Sequence, residues 1–225
     1  AGFENFHEAS YSSAKSQEPN GWHSFMSSTG SLASMVSAAV HTYASSEVRE
    51  NAAEDNKQCV KIVSTPVKLG NIVFASANGT ITTGRLQAGS ADATSKDNCS
   101  FLDFSSTDVD ANGDPFYAVL NNKPDAMKVW VKFKAGDGNK NPKATISALL
   151  TNGKMAQDPE DEQYAANIIA RAQNSSIESK DEWQEITIPF TYDNAEEMPK
   201  AALVTMSTCA VPSGGSKSET NPDVL

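Results

Sequence analysis

The segment Met127-Lys128-Val129-Trp130-Val131-Lys132-Phe133-Lys134 alternates apolar and polar residues with a period of two. Successive side chains of a strand point to opposite faces of a sheet, so Met127, Val129, Val131 and Phe133 form one apolar face. Lys128, Trp130, Lys132 and Lys134 share the other. A chain with such a strand must supply a second layer to cover the apolar face. The same alternation runs through Ile186–Tyr192, where Pro189 lacks an N–H and is expected at an edge or bulge. Phe190 and Ile188 are expected to point inward together.

Further strands are read at Cys59–Val63, Ile72–Ala75, Thr80–Leu86, Ala144–Leu150, Ala165–Ala170 and Ala201–Ser207, separated mostly by Gly, Asn, Asp, Pro and Ser clusters. Asn78-Gly79 is expected to turn a tight hairpin, since both residues tolerate positive φ. After Ser31, the spacing of Leu32, Met35, Val36, Ala39, Val40 and Tyr43 fits a helix, with a loop and short strand as the alternative. Many short strands without long intervening helices select an all-β sandwich or barrel over an α/β fold. No repeat at solenoid spacing and no linker-like shift in composition divides the 225 residues, so one domain over 1–225 is expected. A chain of this length buries about 70% of its unfolded surface and needs no staple. Residues 136–143, 157–163 and 212–222 read as solvated loops.

The balance of 18 basic and 28 acidic residues, net −10, argues against nucleic acid or an anionic membrane as a partner. No apolar run approaches the roughly 20 residues needed to span a bilayer. Richness in Ser, Thr, Asn, Gly and Asp leans toward an extracytoplasmic protein. Cys59, Cys99 and Cys209 allow at most one disulfide and are too far apart for a zinc knuckle.

Candidate chemistry is sparse. The three histidines, His7, His23 and His41, lie near the start, but their spacing matches no metal-binding motif. His7-Glu8 begins like a zincin helix, yet Tyr11 stands where the second His belongs. They read as ordinary polar side chains. No Gly-x-Ser-x-Gly elbow supports a nucleophilic serine. Asp108-Val109-Asp110-Ala111-Asn112-Gly113 follows the opening D-x-D-x-N-G of a calcium loop, making Asp108, Asp110 and Asn112 candidate ligands. Val119 occupies the position of the closing bidentate Glu, so an acidic turn capping its own backbone is the competing reading. Aromatic rings stack on the C–H faces of sugars while polar neighbours bond the hydroxyls. Trp22, following Pro19-Asn20-Gly21, and Trp130, on the lysine face of its strand, have suitable settings; packing in the core or rim is the alternative for each.

Several of these pieces occur together in the order of a known family. Asn20-Gly21-Trp22 resembles its early Trp segment, and Leu69–Phe74 through Thr83-Gly84-Arg85-Leu86 is similar to its G-N-L-F-x-G-x-F hairpin with an insertion. Asp114-Pro115-Phe116, Pro124 and Trp130–Phe133 with Gly136 resemble its P-F…P…Y-Y-K-Y…G stretch. Trp183–Phe190 with Tyr192 resembles W-x-x-F-x-I-P-F-x-Y, and Ser207 with Gly214-Gly215-Ser216 its closing strand and turn. The chain thus resembles the putative carbohydrate metabolism domain, a jelly-roll family of exported bacterial proteins. That resemblance implies a jelly-roll β-sandwich of two antiparallel sheets, similar to carbohydrate-binding modules, outside the cytoplasm. It also implies that Asp223-Val224-Leu225 begins a final strand cut short, with an exposed edge beside it. Its motifs are structural, so no catalytic residue is carried over.

The resulting expectation is non-catalytic glycan binding through Trp22, His23, Tyr117 and Trp130, with no cofactor required and a structural calcium at Asp108, Asp110 and Asn112 as an option. A glycoside hydrolase with two carboxylates and a structural or adhesion module contacting other surface proteins are the alternatives.

Overall fold

The computed structural model describes residues 3–38 and 41–225. The strands, in chain order, are β1 (Phe6–Tyr11), β2 (Ala14–Pro19), β3 (His41–Ser45), β4 (Cys59–Val63), β5 (Thr65–Leu69), β6 (Ile72–Ala77), β7 (Thr80–Thr82) and β8 (Arg85–Ala88). They continue with β9 (Asn98–Leu102), β10 (Ala118–Val119), β11 (Ala126–Val131), β12 (Lys143–Thr151), β13 (Ala156–Asp158), β14 (Ile168–Glu178), β15 (Gln184–Pro189), β16 (Thr191–Tyr192) and β17 (Ala201–Ser207). The pairings between these strands are antiparallel. This is the all-β sandwich expected from the alternation.

The central sheet runs β10-β17-β12-β14-β16, with β7 on β17. β12 is its axis. Ala144, Ile146 and Ala148 point to one face and pack with Ala172, Ile177 and Met206. The opposing layer contributes Val131, Phe133, Ile188 and Ile62, and Phe133 and Ile146 are fully buried. Each such side chain stabilises the fold by about 1.5–3 kcal/mol through removal from water. The apolar face of the Met127–Phe133 segment therefore meets its second layer, with β11 paired to β15 in the register Val129↔Ile186.

Residues 223–225 complete the opposing layer. Val224 bridges Val63 on one side and Lys134 on the other, and Leu225 exchanges backbone hydrogen bonds with Ile62. The β3–β4 pair thereby joins the β11–β15 pair across these three residues, so their two flanks are both paired.

The other face of the central sheet changes character along its length. Toward the C-terminal end of β12, Leu149 packs with Leu203, Ala201 and Ile168 beneath Leu102 of β9 and Ala156 of β13. Toward its start, Thr145 and Ser147 of β12 and Thr205 and Ser207 of β17 face an open cleft.

Five local expectations are corrected. β6 pairs with β5 and β7 with β17, so Asn78-Gly79 carries the chain between sheets instead of closing a hairpin. Thr80–Leu86 divides into β7 and β8 around Thr83-Gly84, because Thr83 leaves the ladder to bond the Ala202 carbonyl and the Val204 N–H through its hydroxyl. The span Ala165–Ala170 begins in a 3-10 turn, Glu162–Asn167, started by Asp161, whose carboxylate accepts the Gln163 N–H. Residues 157–163 are not all solvated loop, since Gln157 and Asp158 belong to β13, where Gln157 pairs with Phe101. The helix after Ser31 is limited to Ala33–Ser37, and β3 begins at His41; Ala39 and Val40 lie outside the described residues.

Candidate functional site

Two concavities and one buried polar centre stand out. The first concavity, about 310 Å³, is lined by Phe3, Trp130 and Trp183 together with Lys61, Lys132 and Asp181. Trp130 stands on the outward face of β11 because of the period-two pattern, and 39% of it is exposed. The Arg49 guanidinium lies 4.7 Å from its ring centroid, a cation–π contact that fixes the ring. Lys132, two residues along the same face, donates to Glu47 at 2.6 Å, and this bond holds the Glu47 carboxyl below its usual range. The groove thus combines indole rings with hydrogen-bonding groups of both charges.

The second concavity, about 360 Å³, is the cleft over the hydroxyl-bearing part of the central sheet. Thr145, Ser147, Gln173, Thr205 and Ser207 line it, as does the exposed ring of Phe74. Asp158, at the end of β13, accepts a hydrogen bond from the Ser147 hydroxyl. Burial pushes its carboxyl above the ordinary range, opposed by the Ser147 bond. Among the described lining residues, Asp158 is the one carboxylate.

The buried centre lies where the β1–β2 hairpin meets the 103–117 loop. His7 comes from β1, Glu18 from the end of β2, and His23 from a segment bridged to Thr82 of β7. The His7 Nε2 atom is 3.3 Å and the His23 Nε2 atom 3.4 Å from Asp110 Oδ2, while Glu18 Oε2 is 3.7 Å from His7 Nε2. His23 and Glu18 are fully buried. Burial pushes the His23 imidazole down, against the pull of the Asp110 charge. Burial likewise pushes the Glu18 carboxyl up, opposed by hydrogen bonds from Ser24. Asp114, more open, is lowered by the hydrogen bond from Asn112. One ligand atom each from His7, Asp110 and Asp114 falls within a 4.8 Å cluster, so these side chains have the convergence a metal ion requires.

The residues singled out from sequence are dispersed. Trp130 lines the aromatic groove. Trp22 lies edge-on to Phe3 with centroids 5.3 Å apart and packs on the sandwich core. Tyr117 packs against Phe104 at 4.3 Å. His23, expected to bind glycan, is instead buried with its ring centroid 4.5 Å from that of Phe116. Asp108, Asp110 and Asn112 turn to different partners. Asp108 pairs with Arg85, and the Asn112 side chain donates to Asp114. Asp110 Oδ1 accepts the N–H groups of Asn112 and Asp114, which folds the loop as a self-capped turn. Trp183, just before β15, joins Trp130 in the groove. The histidines were set aside on their spacing, but the centre that gathers His7 and His23 takes Asp110 and Asp114 from a loop about a hundred residues away, with Glu18 from β2.

The β-sandwich thus offers an aromatic groove with a polar lining and a hydroxyl-floored cleft. The chain is a member of the family described as "Putative carbohydrate metabolism domain", whose sequence pattern matches residues 2–209. Two solved structures share the fold. One, a putative glycoside hydrolase from Bacteroides vulgatus ATCC 8482, aligns with a TM-score of 0.66 at 14% identity, covering 100% of this chain and 94% of that one. The other, a putative glycoside hydrolase from Bacteroides thetaiotaomicron VPI-5482, aligns with a TM-score of 0.53 at 13% identity, covering 82% of this chain and 54% of that one. No curated protein sequence matches the chain. Among the described residues no helix is long and apolar enough to cross a membrane.

Proposed function

We propose that this chain is a non-catalytic carbohydrate-binding domain acting outside the cytoplasm, and that it holds a glycan in the groove lined by Trp130 and Trp183. The observation that carries the reading is the presence of two indole rings in one groove with Lys61, Lys132 and Asp181. Indole faces stack on sugar C–H surfaces, and the charged neighbours bond hydroxyls. Hydrolysis is less well supported. The groove's carboxylates include Glu47, which Lys132 holds ionised, whereas a glycosidase needs a carboxyl kept protonated opposite a second acid. The hydroxyl-floored cleft has a raised carboxyl, Asp158, but no second carboxylate among its described lining residues.

The test is retention on a panel of immobilised polysaccharides, with indole fluorescence titration of any glycan retained. Trp130→Ala is expected to weaken binding at least tenfold while circular dichroism stays unchanged. Retention indifferent to Trp130→Ala and Trp183→Ala would move the site elsewhere. Release of reducing sugar from any retained glycan would replace binding with catalysis.

A further inference from the structure

The centre around Asp110 has a property that ordinary buried polar networks lack: its unpartnered atoms face one another. His7 Nε2, Glu18 Oε2, Asp110 Oδ2 and His23 Nε2 are buried without a hydrogen-bond partner of normal geometry. A buried polar atom left unsatisfied is costly, and here four lie in one place.

The acids are held in a particular way. Glu18 commits Oε1 to the Ser24 N–H and hydroxyl and leaves Oε2 free. Asp110 commits Oδ1 to two backbone N–H groups and leaves Oδ2 free. Asp114 commits Oδ2 to the Gly21 N–H and the Asn112 side chain. His7 Nδ1 lies 3.2 Å from Asn20 Oδ1; a proton donated there leaves Nε2 with a bare lone pair directed at Asp110. One atom tied down and the other offered inward is how outer-shell bonds orient metal ligands. A tetrahedral ion with bonds of about 2.0–2.1 Å sets its ligand atoms about 3.3–3.4 Å apart. The His7–Asp110 and His23–Asp110 separations, 3.3 and 3.4 Å, match that edge, and Glu18–His7 at 3.7 Å is close to it.

We propose that His7, Asp110 and Asp114, with one of the flanking His23 and Glu18 side chains as the fourth ligand, form a binding site for a divalent first-row transition ion of the zinc type. Imidazole nitrogens among carboxylates favour such ions, whereas calcium and magnesium take oxygen shells. The centre's side chains come from β1, the end of β2, the His23 segment and the 103–117 loop, so the ion clips the N-terminal hairpin and that loop to the edge of the central sheet. Neither concavity includes these residues among its lining, and the role is structural.

The test uses the full chain, stripped with chelator and titrated calorimetrically with Zn²⁺ and, separately, Ca²⁺, while Co²⁺ binding is followed by visible absorption. The expected result is one equivalent of Zn²⁺, a Co²⁺ spectrum of low-symmetry tetrahedral type, and a metal-dependent rise in Tm. His7→Gln and Asp110→Asn should each lower Zn²⁺ affinity at least tenfold, and Asp108→Asn should leave it unchanged. Should either centre variant fail to fold, the wild-type stoichiometry and Co²⁺ spectrum decide. Absence of stoichiometric Zn²⁺ and Co²⁺ binding, binding of Ca²⁺ in their place, or affinity unaffected by both centre variants would overturn the proposal.

Discussion

The carboxylate of Asp223 accepts the backbone N–H of Ser216 at 2.7 Å through one oxygen and that of Gly136 at 2.7 Å through the other. Asp223 is fully buried, and the Asn139 side chain adds a third bond at 2.8 Å. The residue therefore ties the 136–139 turn and the 211–218 turn to the short strand that joins the β3–β4 and β11–β15 pairs. Asp223→Ala leaves those backbone donors buried without partners, at about 1–3 kcal/mol each. The expected outcome is a loss of at least 2 kcal/mol in urea denaturation, on the order of that cost. An Asp223→Ala protein as stable as wild type would contradict this role.

Gly84 sits where the chain passes from β7 to β8. A Cβ there would overlap the Phe101 carbonyl oxygen and Leu203 Cδ1. Phe101 belongs to β9 of the covering layer and Leu203 to β17 of the central sheet, where it is buried, so neither can yield freely. Gly84→Ala is expected to destabilise by about 1–3 kcal/mol, the usual cost of overpacking, and calorimetry should show Tm falling by roughly 2–4 °C per kcal/mol for a chain of this size.

Burial raises the Asp158 carboxyl above its ordinary range, so the folded chain binds that proton more tightly than the unfolded one. Its contribution to stability is complete below the unfolded pKa of about 3.9 and declines as pH rises through the higher folded value. Asp158→Asn removes the titrating group. The stability difference between variant and wild type should therefore shift in the variant's favour from about pH 3 to about pH 7. Urea midpoints at the two pH values measure it; a shift of opposite sign would show that the charged form is the one the fold prefers.

The three cysteines are free. Burial pushes the Cys99 thiol up to about 12, and burial also raises Cys59 and Cys209. Since the thiolate is the nucleophile, native protein at about pH 8 should react slowly with an aromatic disulfide reagent, Cys99 slowest of all. In denaturant all three should react at once, as peptide mapping of timed samples would show.

Strands that are apolar runs set between polar and turn residues were legible: β4 and β17 have the bounds read from sequence, and β12 extends its reading by one residue at each end. In β12 and β17 both faces are largely buried, and the apolar run is itself the signal. β1, β2 and β9 were not legible, because Phe6–Tyr11, Ala14–Pro19 and Asn98–Leu102 carry few apolar residues in alternation and are held by neighbours and loops. Trp130 was legible as an exposed ring because its strand neighbours are lysines. The His7–Asp110 pairing was not, since nothing local records that a hairpin from the start of the chain will dock on a loop a hundred residues later.

On β12 the step from Leu149 back to Ser147, and on β17 the step from Leu203 to Thr205, turns one sheet face from oily to hydroxylated. Two registered ladders, Ser147↔Thr205 and Leu149↔Leu203, keep the transition aligned across strands. Deleting a single residue within either strand would invert its remaining side chains, driving methyl groups such as that of Ile146 or Met206 into the wet cleft and hydroxyls into the dry layer. The cleft is thus written in the reading frame of two strands, and evolution can reshape its rim through the loops far more freely than it can move its floor.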